Sequence, residues 1–377
     1  MKYMGSKRAM LAGTLGETLR ANMPGRERFV DLFTGSASVA CYVAENFHLP
    51  VLATDLQEYA AVLARSIIGR SEISEFDAWA PAWIAAGVFR AERSVGGLAA
   101  ANLQSRLNIA RLSKQAERAR RMCAESDSEF VRAYGGWYFS PWQAILLDSL
   151  RKEIETGAPW QDIAIAAVVQ AASRCVAAPG HTAQPFKAHT TAAPFLLESW
   201  NKDIIAHTTV CAADLASRHA LVAGDAYAAD ANDVASKLRE TDLAFLDPPY
   251  SSVHYSRFYH VLESLARGWV GEVSGSGRYP APEERPSSAY SIPTKARAAL
   301  VGLLDKVAQA GATAIITFPA AEASNRLSGE QIKQLVTPAF DVADVRFLSR
   351  FSTLGGDQKH RSARQDIEEM ILTLQAR

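Results

Sequence analysis

The chain has no surplus of charge of either sign: forty Lys and Arg stand against forty Asp and Glu in 377 residues. Nothing global therefore announces a polyanionic partner, and any nucleic-acid surface must be local. No uninterrupted apolar run approaches the roughly 18 residues that a membrane span needs. The opening MKYMGSKRAM also lacks the apolar core of a signal peptide, so a cytosolic protein is expected. Cysteine is scarce, with Cys41, Cys123, Cys175 and Cys211 far apart and no CxxC pair. Neither a disulfide frame nor a metal centre is expected, and the thiols read as plain buried groups. The chain also lacks GxGxxG and GxxxxGK[ST], which takes support from nicotinamide-dependent hydride transfer and from phosphate-loop chemistry. There is no internal repeat and no low-complexity tract, and a composition 48% hydrophobic and 21% charged speaks for a folded chain. Its length allows one large catalytic domain or two moderate ones.

What is present is an alternation of short apolar strands and helices, the mark of a parallel sheet with crossover helices. Phe29–Phe33 (FVDLF) reads as a strand, followed by the small-residue turn FTGSAS and a helix from Ser38 to Phe47. Val51–Asp55 (VLATD) and a helix from Gln57 to Ile68 repeat the unit. Between Arg90 and Arg121 the alternation is gone, and eight Lys or Arg face two Glu in a helical stretch with arginines on more than one face. Helices follow at Trp142–Glu155 and Asp162–Val176, then a small-residue loop at Ala178–Lys187. Alternation resumes with LVAGD, read as a strand ending at Asp225, and with LAFL leading into Asp247. The last two of seven expected strands, near Val342–Phe351 and Ile367–Leu374, have no helix between them.

In such sheets ligands bind beyond the carboxyl ends of the strands. Asp31, Asp55, Asp225 and Asp247 are all read at such ends. Each alone is a candidate helix cap, but their recurrence at successive strands points to a shared pocket. Gly35 lets a ligand approach the turn closely, and Asp55 suits bidentate binding of ribose hydroxyls. A nucleoside-bearing cofactor without a pyrophosphate fits better than a dinucleotide.

In the order KYMGSKR, FVDLFTGSASVA, VLATD, LVAGD and LAFLDPPY, the chain resembles the S-adenosylmethionine-dependent adenine-specific DNA methyltransferases of the alpha group, the Dam-like enzymes. The likeness covers roughly residues 1–68 and 137–374, including WYFSPWQAILLDSLR and the closing RSARQDIEEMIL. It implies an α/β fold: a Rossmann-like seven-stranded methyltransferase sheet carrying an inserted, mainly helical target-recognition domain. The expected division is 1–68 and 137–377 for the catalytic domain and 69–136 for the insertion. S-adenosyl-L-methionine is the implied cofactor, with Tyr3, Gly5, Lys7, Asp31, Phe33, Gly35, Ser36, Asp55, Leu56, Asp225, Ala226 and Asp247 around it. Within that set Asp55 would hold the ribose, Asp225 the cofactor's adenine amine with Ala226 beside it, and Tyr3, Gly5 and Lys7 would close over the cofactor and approach the target base. The family's second glycine is here Ala37, which a backbone of negative φ accommodates.

The implied catalytic residues are Asp247, Pro248, Pro249 and Tyr250. An adenine amine is a poor nucleophile because its lone pair is delocalised into the ring. Asp247 can accept one of its N–H bonds and the Pro248 carbonyl, stiffened by Pro249, the other, while Tyr250 stacks on the base. A target atom inside a duplex is out of reach, so the base must be swung out. Double-stranded DNA is the expected partner, and a cognate restriction or defence nuclease is one that the resemblance allows. Lys7 would meet the nucleic acid at the flipped base, and DNA backbone contacts would come from Arg111, Lys114, Arg118 and Arg121 in the insertion and from Lys359 and Arg361 between the last strands. Tyr255 and Arg257 would hold the gap left by the extruded base. Rival readings keep the fold and change the acceptor to the cytosine amine or to an RNA adenine, or make the chain a catalytically silent DNA-binding regulator.

Overall fold

The computed structural model describes residues 7–351 and 365–377. These form two compact units, one of residues 7–72, 219–255, 286–351 and 365–377, the other of residues 73–218 and 256–285.

The first unit is built on a seven-stranded sheet of β1 (Arg28–Asp31), β2 (Val51–Asp55), β3 (Asp225–Ala228), β4 (Asp242–Leu246), β5 (Thr313–Pro319), β6 (Phe340–Phe351) and β7 (Gln365–Ala376). The order across it is β3-β2-β1-β4-β5-β7-β6. The first five strands pair in parallel, and β7 runs antiparallel between β5 and β6. This agrees with the Rossmann-like methyltransferase sheet that the sequence leads one to expect, including a final pair without an intervening helix.

Strand periodicity divides the side chains cleanly between two faces. Val30, Ala244, Leu246, Ala314, Ile316, Met370 and Leu372 pack with the helices Ala231–Ala235, Ala296–Gln309 and Gly329–Val336 in one core. Phe29 and Phe245 occupy the other face, their rings stacked at 6.4 Å, on the side of the helices Ser38–Asn46 and Glu58–Ile68.

Residues 73–218 and 256–285 form a helical unit whose helices include Phe76–Arg93, Gly97–Gln104, Leu112–Ala124, Pro141–Lys152, Gln161–Cys175, Ala193–Trp200 and Ile204–Ala216. It extends beyond the 69–136 insertion expected from sequence: the helices Pro141–Lys152 and Gln161–Cys175 lie in this unit and not with the sheet. Their apolar faces need partners, and they find them in helices of the same unit, as where Trp83 donates its indole N–H to the Leu150 carbonyl at 2.9 Å. Ser140 and Gln143 form a reciprocal capping box with Pro141 in the first turn, so the start of that helix is written locally. Trp200 is buried with Leu103, Leu112, Ala116, Ala119 and Leu196. All four cysteines are buried free thiols. Among the described residues no helix is long and apolar enough to cross a membrane.

Candidate functional site

Register alone brings the acids of the sheet together. Asp31 pairs with Ala53 of β2 and with Phe245 of β4. Asp55 and Asp247 therefore lie two residues beyond its partners, on the same face and at the carboxyl edge. Phe245 pairs with Ile315, which places Thr317 beside Asp247, and Pro319 pairs with Glu369. One face of four adjacent strands, extended by β7, thus gathers Asp31, Asp55, Asp247, Thr317 and Glu369.

Lys7 supplies the cation of this group. Its ammonium lies 3.1 Å from Asp247 Oδ1 and 3.2 Å from Glu369 Oε2, with side-chain exposures of 4% for Lys7, 17% for Asp247 and 0% for Glu369. Thr317 donates its hydroxyl to Asp247 Oδ1 at 2.9 Å. Burial pushes the Lys7 amine down, but Asp247 and Glu369 more than offset it, and the net shift is upward. Burial likewise raises the carboxyls of Asp247 and Glu369, against the pull of Lys7 on both. The ammonium also stands 5.9 Å from the centre of the Tyr250 ring, whose edge contact with Phe318 spans 6.1 Å.

The proline corner is braced from outside. The Asn325 amide donates to the Pro249 carbonyl at 2.9 Å and to the Tyr290 carbonyl at 3.2 Å. Among the described residues no donor reaches the Pro248 carbonyl. Tyr290 packs edge-on against Phe33 at 5.1 Å and receives a hydrogen bond from Asn232 on its hydroxyl.

The turn after β1 is tied to β2. Gly35 N–H donates to Asp55 Oδ2 at 2.9 Å and Gln57 N–H to Oδ1 at 3.1 Å, while Thr34 N–H reaches the Thr54 carbonyl. Asp55 therefore holds the turn and has lone pairs left for a ligand. Leu56 follows it half-buried, as is Ser36, whose hydroxyl bonds that of Ser38 at 2.8 Å. Ala37 has φ +60°, in the left-handed region. The negative φ at which an alanine would be accommodated is not what the turn provides: it holds Ala37 in a conformation that glycine adopts freely, at about 1 kcal/mol or more.

Asp31 is 1% exposed, accepts from Phe33 N–H at 3.2 Å, and has its carboxyl pushed up to about 8 by burial and by the neighbouring charges of Asp247 and Asp55. Four acids, Asp31, Asp55, Asp247 and Glu369, with one lysine among them suit a ligand that brings positive charge. The sulfonium and ammonium of S-adenosylmethionine have that chemistry.

Asp225 needs correction. It opens β3 instead of closing it, is exposed, and pairs with Leu52, so it faces the opposite side of the sheet at the amino end. Ala226 lies level with Ala53, well below the carboxyl edge. Asp230 sits at that edge instead, just after Ala229, whose N–H bonds the Asp55 carbonyl, and it caps the helix Ala231–Ala235. The sequence reading missed Asp230, Thr317, Asn325 and Glu369. An acid and a threonine at alternate positions of otherwise apolar strands were the available signal.

Tyr3, Gly5, Lys359 and Arg361 lie outside the described residues. In the helical unit Leu112, Ala116, Ala119 and Cys123 bury one face of their helix, and Lys114, Arg118 and Arg121 are exposed. Those three cations fall within an arc of about 60° opposite the buried stripe, by helix geometry. These three thus form one outer face, with Arg111 exposed at its start, and Arg120 occupies another, so the helix carries arginines on more than one face as expected. Arg120 is turned aside, stacked 4.0 Å from the Trp137 ring. Arg257 is exposed with its guanidinium 4.7 Å from the Tyr279 ring, and Tyr255, half-buried, begins the helix Tyr255–Arg267.

Residues 3–155 match the family model of the D12 class N6 adenine-specific DNA methyltransferases. The matched range takes in Lys7, the FTGSAS turn, Asp55 and also the segment 69–136 that the sequence motifs left unassigned, and it ends before the Asp247–Tyr250 corner. No curated protein matches the chain.

Proposed function

We propose that this chain is an N6 adenine-specific DNA methyltransferase, a reading that the family match over residues 3–155 supports, and that Asp247 and the Pro248 carbonyl grip the target amine of a flipped-out adenine. S-adenosylmethionine would supply the methyl group as an electrophile beside Asp31, Asp55 and the FTGSAS turn. The observation that carries the reading is the ion group at the end of β4, where Lys7, Thr317 and Glu369 fix the Asp247 carboxylate next to Tyr250.

The chemistry follows from that placement. A carboxylate of raised pKa accepts one N–H of the amine, and the Pro248 carbonyl, without a donor of its own among the described residues, accepts the other. Two acceptors out of the base plane favour a more tetrahedral, nucleophilic nitrogen. Asn325, holding the next carbonyl, prevents the corner from turning. Tyr250 would stack on the base, replacing part of the lost base stacking. Positioning and fixed charge then supply most of the acceleration.

The basic face of Lys114, Arg118 and Arg121 would take DNA phosphates, which makes the helical unit the proposed recognition domain. Labelled S-adenosylmethionine incubated with the protein and either duplex DNA or RNA, followed by nucleoside analysis, tests the reading. N6-methyladenine from DNA is expected, and Asp247→Ala should abolish it while leaving cofactor binding within about threefold. N4-methylcytosine, label in RNA alone, or an active Asp247→Ala variant would each overturn it.

A further inference from the structure

Lys7 poses a difficulty for a carboxylate that must accept from a substrate. A lysine 3.1 Å from Asp247 Oδ1, with no other anion in reach, would neutralise that carboxylate and occupy its lone pairs. Here a second buried acid takes part of the load. Glu369 offers both oxygens to the ammonium, at 3.3 and 3.2 Å, from a fully buried position. Its strand is otherwise apolar along Met370, Ile371 and Leu372, all buried. An acid in such a strand is costly unless it is paired, and its register against Pro319 at the end of β5 aims it at this one cation.

We propose that Glu369 is a positioning residue: by sharing the charge of Lys7, it leaves the Asp247 carboxylate with surplus negative charge toward the substrate amine. The proposal rests on the reading that Asp247 accepts from that amine. With all three groups ionised, the net charge of the set is negative by one. During transfer the N6–carbon bond forms as the donor's sulfur–carbon bond breaks, so positive charge leaves the sulfur and arrives on N6. One amine proton then departs, and Asp247 is the acceptor beside it. A fixed net negative charge at the acceptor end stabilises that arriving charge in a site without bulk water. With glutamine at 369 the set would be neutral and Lys7 would turn wholly to Asp247.

Lys7 from the amino-terminal segment and Asp247 after β4 face Glu369, while Lys7, Asp31 at the end of β1 and the Thr317 hydroxyl of β5 face Asp247. Lys7 draws the carboxyls of both Asp247 and Glu369 down, and the charge of Asp247 raises that of Glu369; in the proposal the charge of Glu369 offsets part of the pull of Lys7 on Asp247. The acid limb of the kcat–pH profile should therefore move to lower pH in Glu369→Gln, with a lower plateau.

The test uses the full chain, duplex DNA and S-adenosylmethionine, with single-turnover rates from pH 5 to 9 for Glu369→Gln, Glu369→Asp and Asp247→Asn. Glu369→Gln is expected to lose about 10- to 100-fold in kcat, to keep both KM values within about threefold, and to shift the acid limb by half a pH unit or more. Glu369→Asp, which keeps the charge, should recover most of the rate and the limb of the native chain. An unchanged rate and limb in Glu369→Gln beside an inactive Asp247→Asn would sink this role for Glu369 and leave that of Asp247 standing. An active Asp247→Asn would remove the underlying reading instead. Equal loss in both Glu369 variants with an unmoved limb, or failure of both to fold, would make the acid structural and overturn the proposal.

Discussion

Replacing Lys7 by methionine keeps the length and most of the volume of the side chain and removes its charge. Asp247 and Glu369 would then face each other with no cation between them, one 17% and the other 0% exposed. Breaking a buried ion pair from one side costs about 3–5 kcal/mol. Without the pull of Lys7 both carboxyls, already raised by burial, rise further. The sign follows from linkage. A carboxyl raised in the folded state contributes stability that is fully present below its unfolded value, near pH 4, and is lost as pH rises through the folded one. The penalty of Lys7→Met should therefore be small at pH 5, where the two acids share a proton, and larger by at least about 2 kcal/mol at pH 8. Urea denaturation of native and variant chains at both pH values, followed by circular dichroism, measures it. A penalty below about 1 kcal/mol at pH 8, or one equal at the two pH values, would refute the ion group on which the site is built.

Three further outcomes are expected. Asp31, with its carboxyl near pH 8, is protonated at neutral pH in the free protein, and a cationic cofactor favours its ionised form. Calorimetry of S-adenosylmethionine binding in buffers of different ionisation enthalpy should then show release of up to one proton at pH 7, fading by pH 9 and absent in Asp31→Asn. Asp230→Ser, which keeps the helix cap and removes the carboxylate, should weaken cofactor binding about tenfold, and Asp225→Ser should leave it within about twofold; the reverse order would restore Asp225. Ala37→Val places a β-branched side chain at φ +60° in a position 2% exposed. It should cost about 2 kcal/mol or more in thermal or urea unfolding, and a neutral result would contradict the left-handed conformation.

The candidate site was legible in the sequence wherever its chemistry is local. DPPY after an apolar strand, Asp55 at the end of VLATD and FTGSAS before a helix all carry their geometry in a few consecutive residues, and each lies at the carboxyl edge of the sheet. Asp225 misled because LVAGD is apolar enough to read as a strand, yet pairing begins only at Asp225. The helices Gly97–Gln104 and Ile204–Ala216 escaped because alanine-rich stretches without a clear polar stripe give weak period signals.

The sequence by itself determined the strand–turn–helix units around β1 and β2, the acids Asp31, Asp55 and Asp247 at their strand tips and the proline corner, because backbone sterics and side-chain period act over a few residues. Only the tertiary structure decided which acids meet. Lys7 and Glu369 are separated by 362 residues, and their pairing follows from the insertion of β7 between β5 and β6, antiparallel to both. Burial then makes the partnership obligatory, since a charge removed from water must find its counterion wherever the fold has placed it.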